Sequence, residues 1–493
     1  MIALTGSADL FAQTYTWQGG ARGGGGTDQT NLFKGGNWSP NGFSAQNSDL
    51  IFTNANASSS SILDVSASAT LKSITFGAGA LSFTLTNSTS LLTFNGGNNI
   101  TVNSTNLQTL AVGIVLAGNS IWNTGTGSRL VVRGVISDGI STSYGITKTG
   151  DGTLQLNAAN SFNGGINLSG GSLIIGNSRA LGVPGSGGDA GLNFTGSGTL
   201  SAGINSLGVS NAITIGTNTA TLDAAGNSWT LFGSISGSTG GLIARSSTGM
   251  GTLTLAGVNS YTGETILQQL TLALSKGALL GGTSGIRVSA GSTLLPGGSN
   301  QINPKSRLTL EGGKLSMASI GSPNRAPVQE FASLTLTADS VIDFGALAGT
   351  STLTFGSIAG LGTYSLSVHN WNGTTLWGAT SATGGAFQYT SLQDLTATKL
   401  SLGDLANISF YSGVGTGFLG TGGIVGNEIV PIPEPSVVIA SIMLLGFLLH
   451  SHMVNRQGLK QLKVVKRSRT FHFVTSTLQP RQRVSPLPVR RGR

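Results

Sequence analysis

The sequence predicts an all-β chain, a parallel β-solenoid followed by one C-terminal transmembrane helix, and three observations lead there. A strand-and-turn segment recurs at a constant offset of 99 residues. Short runs in which apolar and polar residues alternate, separated by Gly- and Asn-rich turns, fill the chain from Asp49 onward. One uninterrupted apolar run, Val437 to Leu449, stands near the C-terminus directly before a basic stretch.

Composition fits this reading. At 493 residues with only 9% charged side chains and 77 glycines, the surface has to be built from Ser, Thr, Asn, Gln and Gly. Ordinary domains carry about 25% charge. A hydrophobic fraction of 39% is too high for a solvated low-complexity chain, so there is material for a long, thin core. The net charge of +9 belongs to the tail: eleven Lys and Arg and no acid follow from Arg456, leaving fifteen bases against seventeen acids before it. The body is near neutral and offers no basic face to nucleic acid. With no cysteine there are no disulfides, no thiolate metal ligands and no Cys nucleophile.

Residues 1-12 read as the end of a secretory signal peptide that lacks its basic start, as a late start codon would leave it. Residues 13-48 read as an N-terminal cap, with Trp17 and Trp38 flanking the cluster Gly23 to Gly26 and covering the open first coil. That cluster does not recur at nine-residue intervals, which excludes a calcium roll.

The solenoid proper is assigned to residues 49-305. Leu71 to Phe76, Leu81 to Leu85, Leu91 to Phe94, Ile100 to Val102 and Leu110 to Leu116 are predicted strands; Leu81, Phe83 and Leu85 point one way, Ser82 and Thr84 the other. No helical period is expected before Pro431. The repeat is Thr149-Gly-Asp-Gly-Thr-Leu-Gln-Leu-Asn-Ala-Ala-Asn160-Ser-Phe162-Asn-Gly164 against Thr248-Gly-Met-Gly-Thr-Leu-Thr-Leu-Ala-Gly-Val-Asn259-Ser-Tyr261-Thr-Gly263. One such unit exposes two unpaired edges; stacked coils of roughly twenty residues pair both. The recurring Asn suits left-handed backbone geometry, and stacked asparagines are expected to bond along the axis.

These units, at residues 146-182 and 242-281, resemble the autotransporter-associated β-strand repeat, also called the passenger-associated transport repeat. The resemblance implies a secreted passenger wound as a right-handed β-helix. Residues 306-430 continue the pattern and are similar to the C-terminal portion of repeat proteins of this kind: last coils and a cap, with Trp371 and Trp377.

The chemistry is sparse. Parallel β-helices also carry polysaccharide lyases and hydrolases, which need convergent carboxylates, and that is the alternative reading. Asp339 and Asp343 are the nearest candidates, and His369 is the one histidine of the body; a turn acid, a capped strand end and a surface histidine account for them. Gly415 to Gly420 satisfies G-x-G-x-x-G without a helix after it, and Gly312-Gly313-Lys314-Leu315 lacks the Ser or Thr of a phosphate loop. The expectation is no enzyme, no catalytic or metal site and no cofactor.

The last stretch is more specific. Pro431-Ile432-Pro433-Glu434-Pro435 is a stiff extended spacer. The apolar run follows, including Val437, Ile439, Leu444, Leu445, Phe447 and Leu449, and then the basic flank Arg456 and Lys460. Residues 431-456 resemble the PEP-CTERM sorting signal of Gram-negative bacteria, although in that family the chain normally ends soon after the first arginines. The resemblance implies export, an inner-membrane-anchored precursor, a cut near Pro433, Glu434 and Pro435 by an exosortase, and a place on the outer surface or in the extracellular matrix. Residues 457-493 read as a basic disordered tail held on the cytoplasmic side, or as a frameshifted or read-through extension. The sequence as a whole reads as an exported structural or adhesin-like protein whose partners are the membrane, the exosortase, and exopolysaccharide or a neighbouring cell surface.

Overall fold

The computed structural model describes residues 13-18, 30-53, 62-139, 143-185, 191-318, 327-345, 351-372, 386-389, 400-425 and 428-432. It is a parallel β-solenoid of about 13 turns. The Pro-Glu-Pro motif, the apolar run with its basic flank, the signal-peptide remnant, the Gly23 to Gly26 cluster and Trp377 lie outside the described residues. Among the described residues no helix is long and apolar enough to cross a membrane.

From about residue 129 the strands stack in three ladders, the third of which begins at Leu207. The first ladder stacks Ile146–Thr149, Ile166–Leu168, Leu192–Phe194, Ile213–Ile215 and Ile235–Gly237. The second stacks Arg129–Val132, Thr153–Leu156, Gly171–Ile175, Gly198–Ala202, Ala220–Asp223, Leu242–Arg245, Thr265–Gln268 and Gly285–Ser289. The third stacks Leu207–Val209, Ser228–Leu231, Gly251–Leu255, Leu270–Leu274 and Thr293–Pro296, then runs on to Ile408–Tyr411. Alternate residues point inward, so identical positions in successive coils meet: Leu154, Leu173, Leu200, Leu222, Ala244 and Leu267 form one unbroken buried column. Each fully buried Leu contributes roughly 1.5–3 kcal/mol relative to exposure, and the column is the core.

Coil length departs from a fixed twenty. Leu154 to Leu173 closes a turn in 19 residues and Leu173 to Leu200 takes 27, and the strand register is kept across both. The two predicted strands at Leu81 to Leu85 and Leu91 to Phe94 are one, Thr84–Phe94. Asn87 holds its middle together by accepting hydrogen bonds from the amides of Thr89 and Ser90. Among the described residues one α-helix does precede Pro431: Leu402–Ala406, started by a capping box of Ser401 and Asp404.

The ends are covered differently from the middle. Trp17 and Trp38 pack edge to face at 5.0 Å and Trp38 reaches Phe52 at 5.5 Å, over the first inward column. At the other end Ile408–Tyr411 pairs antiparallel with Phe418–Val425, which pairs with Glu428–Ile432, so parallel stacking stops at a hairpin.

The recurring asparagines correct the sequence reading. Neither Asn160 nor Asn259 has a positive φ, and they lie four coils apart, too far to touch. Both are buried, and each bridges three coils through its side chain. The Oδ1 of Asn160 accepts from the Ile136 amide at 2.9 Å and its Nδ2 donates to the Ala180 carbonyl at 2.7 Å. Asn259 repeats this with Ile235 at 2.9 Å and Leu279 at 3.0 Å. The amide side chain thus fills a gap in the ladder where the backbone turns away. Replacing Asn259 by Leu is expected to cost about 1–3 kcal/mol for each orphaned group, and hydrogen exchange should show the Ile235 amide losing protection first.

Lys148 points inward beside Trp122 and Leu168 and is fully buried. Its Nζ donates to the carbonyls of Thr149, Gly150 and Gly170 at 2.8, 2.7 and 3.2 Å, closing the turn of the first repeat. Burial pushes its pKa down to about 8, with the Asp151 carboxylate pulling the other way. Between pH 8 and pH 10.5 the unfolded chain therefore holds the proton that the folded chain has released, so this group makes stability rise with pH in that window. Thermal melts of wild type and Lys148→Met between pH 7.5 and 10.5 should differ by a pH-dependent gain in the wild type, on the order of 1–3 kcal/mol.

Candidate functional site

The outward residues of the second ladder form the floor of the candidate site. In register, Thr153, Ser172, Thr199 and Thr221 make one column of hydroxyls, and Gln155, Ile174, Ser201, Asp223 and Arg245 make a second beside it. They point outward because their neighbours, such as Leu154 and Leu200, occupy the core. Turns rise on both sides, carrying Asp151, Ser197 and Thr219 on one wall and Gly203, Ala225 and Asn227 on the other, and the result is an open groove of about 780 Å³. A second hollow of about 400 Å³ continues past Arg245 to Gln268 and Ser289.

Some of the charges on this face are paired. Asp223 is buried, accepts from Arg245 Nε at 3.0 Å and from the amides of Ala225 and Ser247 at 2.8 and 3.0 Å. Arg129 donates to the side-chain Oε1 of Gln155 at the other end of the groove. Farther along, Arg287 lies between Glu311 at 2.6 Å and Glu264 at 3.4 Å, on neighbouring coils. The Glu311 hydrogen bond, then the charge of Glu264, raise its already high pKa.

This arrangement weighs on acid–base chemistry. Asp151 and Asp223 line one groove but stand three coils apart, about 14 Å at the ordinary strand spacing, beyond the 6.5–9.5 Å of inverting and the ~5 Å of retaining glycosidases. Glu264 and Glu311, whose strands stand two steps apart, both bond the Arg287 guanidinium, which lies between the two carboxylates and occupies the space a water or sugar oxygen would need.

The residues singled out in the sequence separate. Asp339 is an exposed turn residue whose carboxylate accepts from the Ser365 amide at 2.8 Å, and that bond lowers its pKa. Asp343 is buried in the third ladder, accepts from Asn370 at 2.7 Å and from the Gly345 amide, and lies 3.4 Å from Lys314. His369 is its register neighbour, half-buried, with its ring edge-on to Tyr411 at 5.4 Å. Burial lowers the His369 pKa, against the pull of Asp343. Asp343 and His369 thus meet while Asp339 stands apart. Gly415 and Gly417 take positive φ in the turn before Phe418–Val425, where a strand follows instead of a helix. Among the described residues no cluster of His, Asp and Glu could hold a metal ion.

The repeat units carry the likeness to known proteins. Residues 146–175 and 248–274 match the model of the passenger-associated-transport-repeat. Two segments of the chain are thus similar to this repeat. In the second, the buried Tyr261 hydroxyl meets Thr265 Oγ1 at 2.7 Å, and Thr265 meets Thr283 at 3.1 Å. In the first, the corresponding positions are the apolar pair Phe162 and Ile166, so partner is exchanged with partner and no polar group is orphaned. A stretch of 109 residues is 35% identical to the adhesin BmaC autotransporter of Brucella suis biovar 1 (strain 1330). It spans 20% of this chain and 3% of that much longer relative. No solved structure matches.

Removing the buried carboxylate by Asp223→Ala is expected to cost about 1–3 kcal/mol, since it orphans two amides and one side of Arg245. Glu264→Gln, at a half-exposed pair, is expected to change stability by less than about 1 kcal/mol. Urea unfolding of the two variants checks the order.

Proposed function

We propose that this protein is an exported, surface-displayed, adhesin-like β-helix of a Gram-negative bacterium, wound right-handed and sorted to the surface by its C-terminal segment. The observation that carries the reading is the pair of passenger-type repeats built into one long parallel solenoid. The adhesin relative supports it, as does a body whose described face presents hydroxyls, amides and paired charges. Display is the mechanism: a stiff, weakly charged rod offers many equivalent polar groups, so that weak contacts add along its length to exopolysaccharide or a neighbouring cell surface.

In this proposal the order Pro433-Glu434-Pro435, apolar run and Arg456 acts as the sorting device. The thirteen uncharged, largely apolar residues Val437 to Leu449, extended to Val454, insert at the short end of the ~17–25 residues a span requires. Arg456 and Lys460 stay on the cytoplasmic side, and an exosortase-like enzyme reads the extended proline spacer and releases the body. The alternative, a polysaccharide lyase or hydrolase, draws its support from the Glu264, Arg287 and Glu311 row; release of new chain ends from polysaccharide, abolished by Glu264→Gln with Glu311→Gln, would favour it.

Mass spectrometry of the surface-exposed form from the native host is expected to find a C-terminus near Pro435. Replacing Pro433, Glu434 and Pro435 by alanine should leave an uncut precursor in the inner membrane. Peptides from Gln457 to Arg493 on released protein would overturn the processing step, and a protein confined inside the cell would overturn the adhesin reading.

A further inference from the structure

The groove on the second ladder has a geometry that selects among ligands. Its floor repeats: from Arg129 to Arg245 there are five steps between consecutive strands, about 24 Å at the ordinary strand spacing of 4.7–4.9 Å. Within that length Ser172, Thr199 and Thr221 present one hydroxyl per step, partly exposed and without hydrogen-bond partners among the described residues. Ile174 stands beside them and offers an apolar patch. The turn walls on both sides leave the groove open along the axis and closed across it, so a linear polymer fits it lengthwise.

Charge narrows the class. The groove contains Arg129 and Arg245 and also Asp151 and Asp223, a formal sum of zero. Arg245 is committed to Asp223, and Arg129 to Gln155. A polyanion would find no excess positive potential there, and a polycation no free buried carboxylate. A neutral chain with regularly spaced hydroxyls would pair with the column without leaving a charge desolvated. Extended β-linked glycans advance per sugar by slightly more than the inter-strand distance, so a few consecutive sugars can each meet one coil before the mismatch accumulates.

We infer that the groove between Arg129 and Arg245 is a binding site for a neutral, linear, β-linked glycan lying parallel to the solenoid axis, with Ser172, Thr199 and Thr221 as its register of donors and acceptors. This rests on the surface-adhesin reading and gives it a ligand class and a place. Each sugar is held weakly, because the site has hydroxyls and one apolar patch in place of aromatic platforms, and affinity grows with the number of coils engaged.

The test uses the full-length protein and cello-oligosaccharides of two to eight sugars, with oligouronates of equal length for comparison. Affinity for the neutral series is expected to rise with length up to about five sugars, one per inter-strand step, and to change little with salt. The double variant Thr199→Val, Thr221→Val keeps shape and loses two hydroxyls; it should weaken binding of the six-sugar oligomer at least tenfold. Thr252→Val with Thr293→Val, the same change on the third ladder, should leave it within twofold, and circular dichroism should be unchanged in both. The proposal is overturned if no neutral oligomer binds, if oligouronates bind more tightly, if Thr199→Val, Thr221→Val binds as the wild type does, or if the two double variants lose affinity equally. Matrix polysaccharide from the native host and envelope polysaccharide from other bacteria, each competed by the six-sugar oligomer, tell own matrix from neighbouring cell. Surface display and cell adhesion are scored on the same strains: adhesion without oligomer binding overturns the groove alone, and absence of display and adhesion overturns the adhesin reading whatever the groove binds.

Discussion

The structure depends on one constraint: every coil must present its backbone to the coil before and the coil after at the same height on all three ladders. A parallel strand alone has two open edges, and only stacking satisfies both. Once the ladder is kept, inward side chains fall into columns, so the core is a stack of Leu, Ile, Val and Phe whose members are contributed one per turn. Departures from plain strand geometry are handled locally. Asn160 and Asn259 span the ladder gap with amide groups, and Lys148 closes a turn with an ammonium held by three carbonyls.

Much of the architecture was legible because period-2 alternation and a repeated cassette each leave direct marks on sequence. Thr153 to Leu156 and Thr252 to Leu255 were readable as strands from their alternation alone, and both are inward-leucine strands. The asparagines were readable as fixed points but for the wrong cause, since sequence shows a turn residue without showing whether its backbone or its side chain does the bonding. The helix Leu402–Ala406 escaped notice because it is one turn long and contains Gly403, and only the Ser401 and Asp404 spacing signals it.

The groove was not legible for a different reason. Its residues come from six strands, and which hydroxyls align depends on how much chain each corner holds. Turns of 19 and 27 residues occupy consecutive coils, so Thr153, Ser172 and Thr199 share a column that no fixed spacing would reveal. Asp339 and Asp343 illustrate the reverse: close in sequence, they serve a turn and a strand of the same coil and do not converge.

The 99-residue repeat is not a whole number of turns. Four turns carry Leu154 to Ala244 on the second ladder, and the counterpart of Leu154, Leu253, lies on the third. The two cassettes are therefore alike in local shape while facing different sides, which works because the three faces impose the same inward-outward rule. Gene duplication in such a chain is released from the need to insert complete turns. It also acts as a rotation: one more cassette would swing everything distal to it onto the next side, so lineages could redirect an unchanged binding surface by lengthening the rod beneath it.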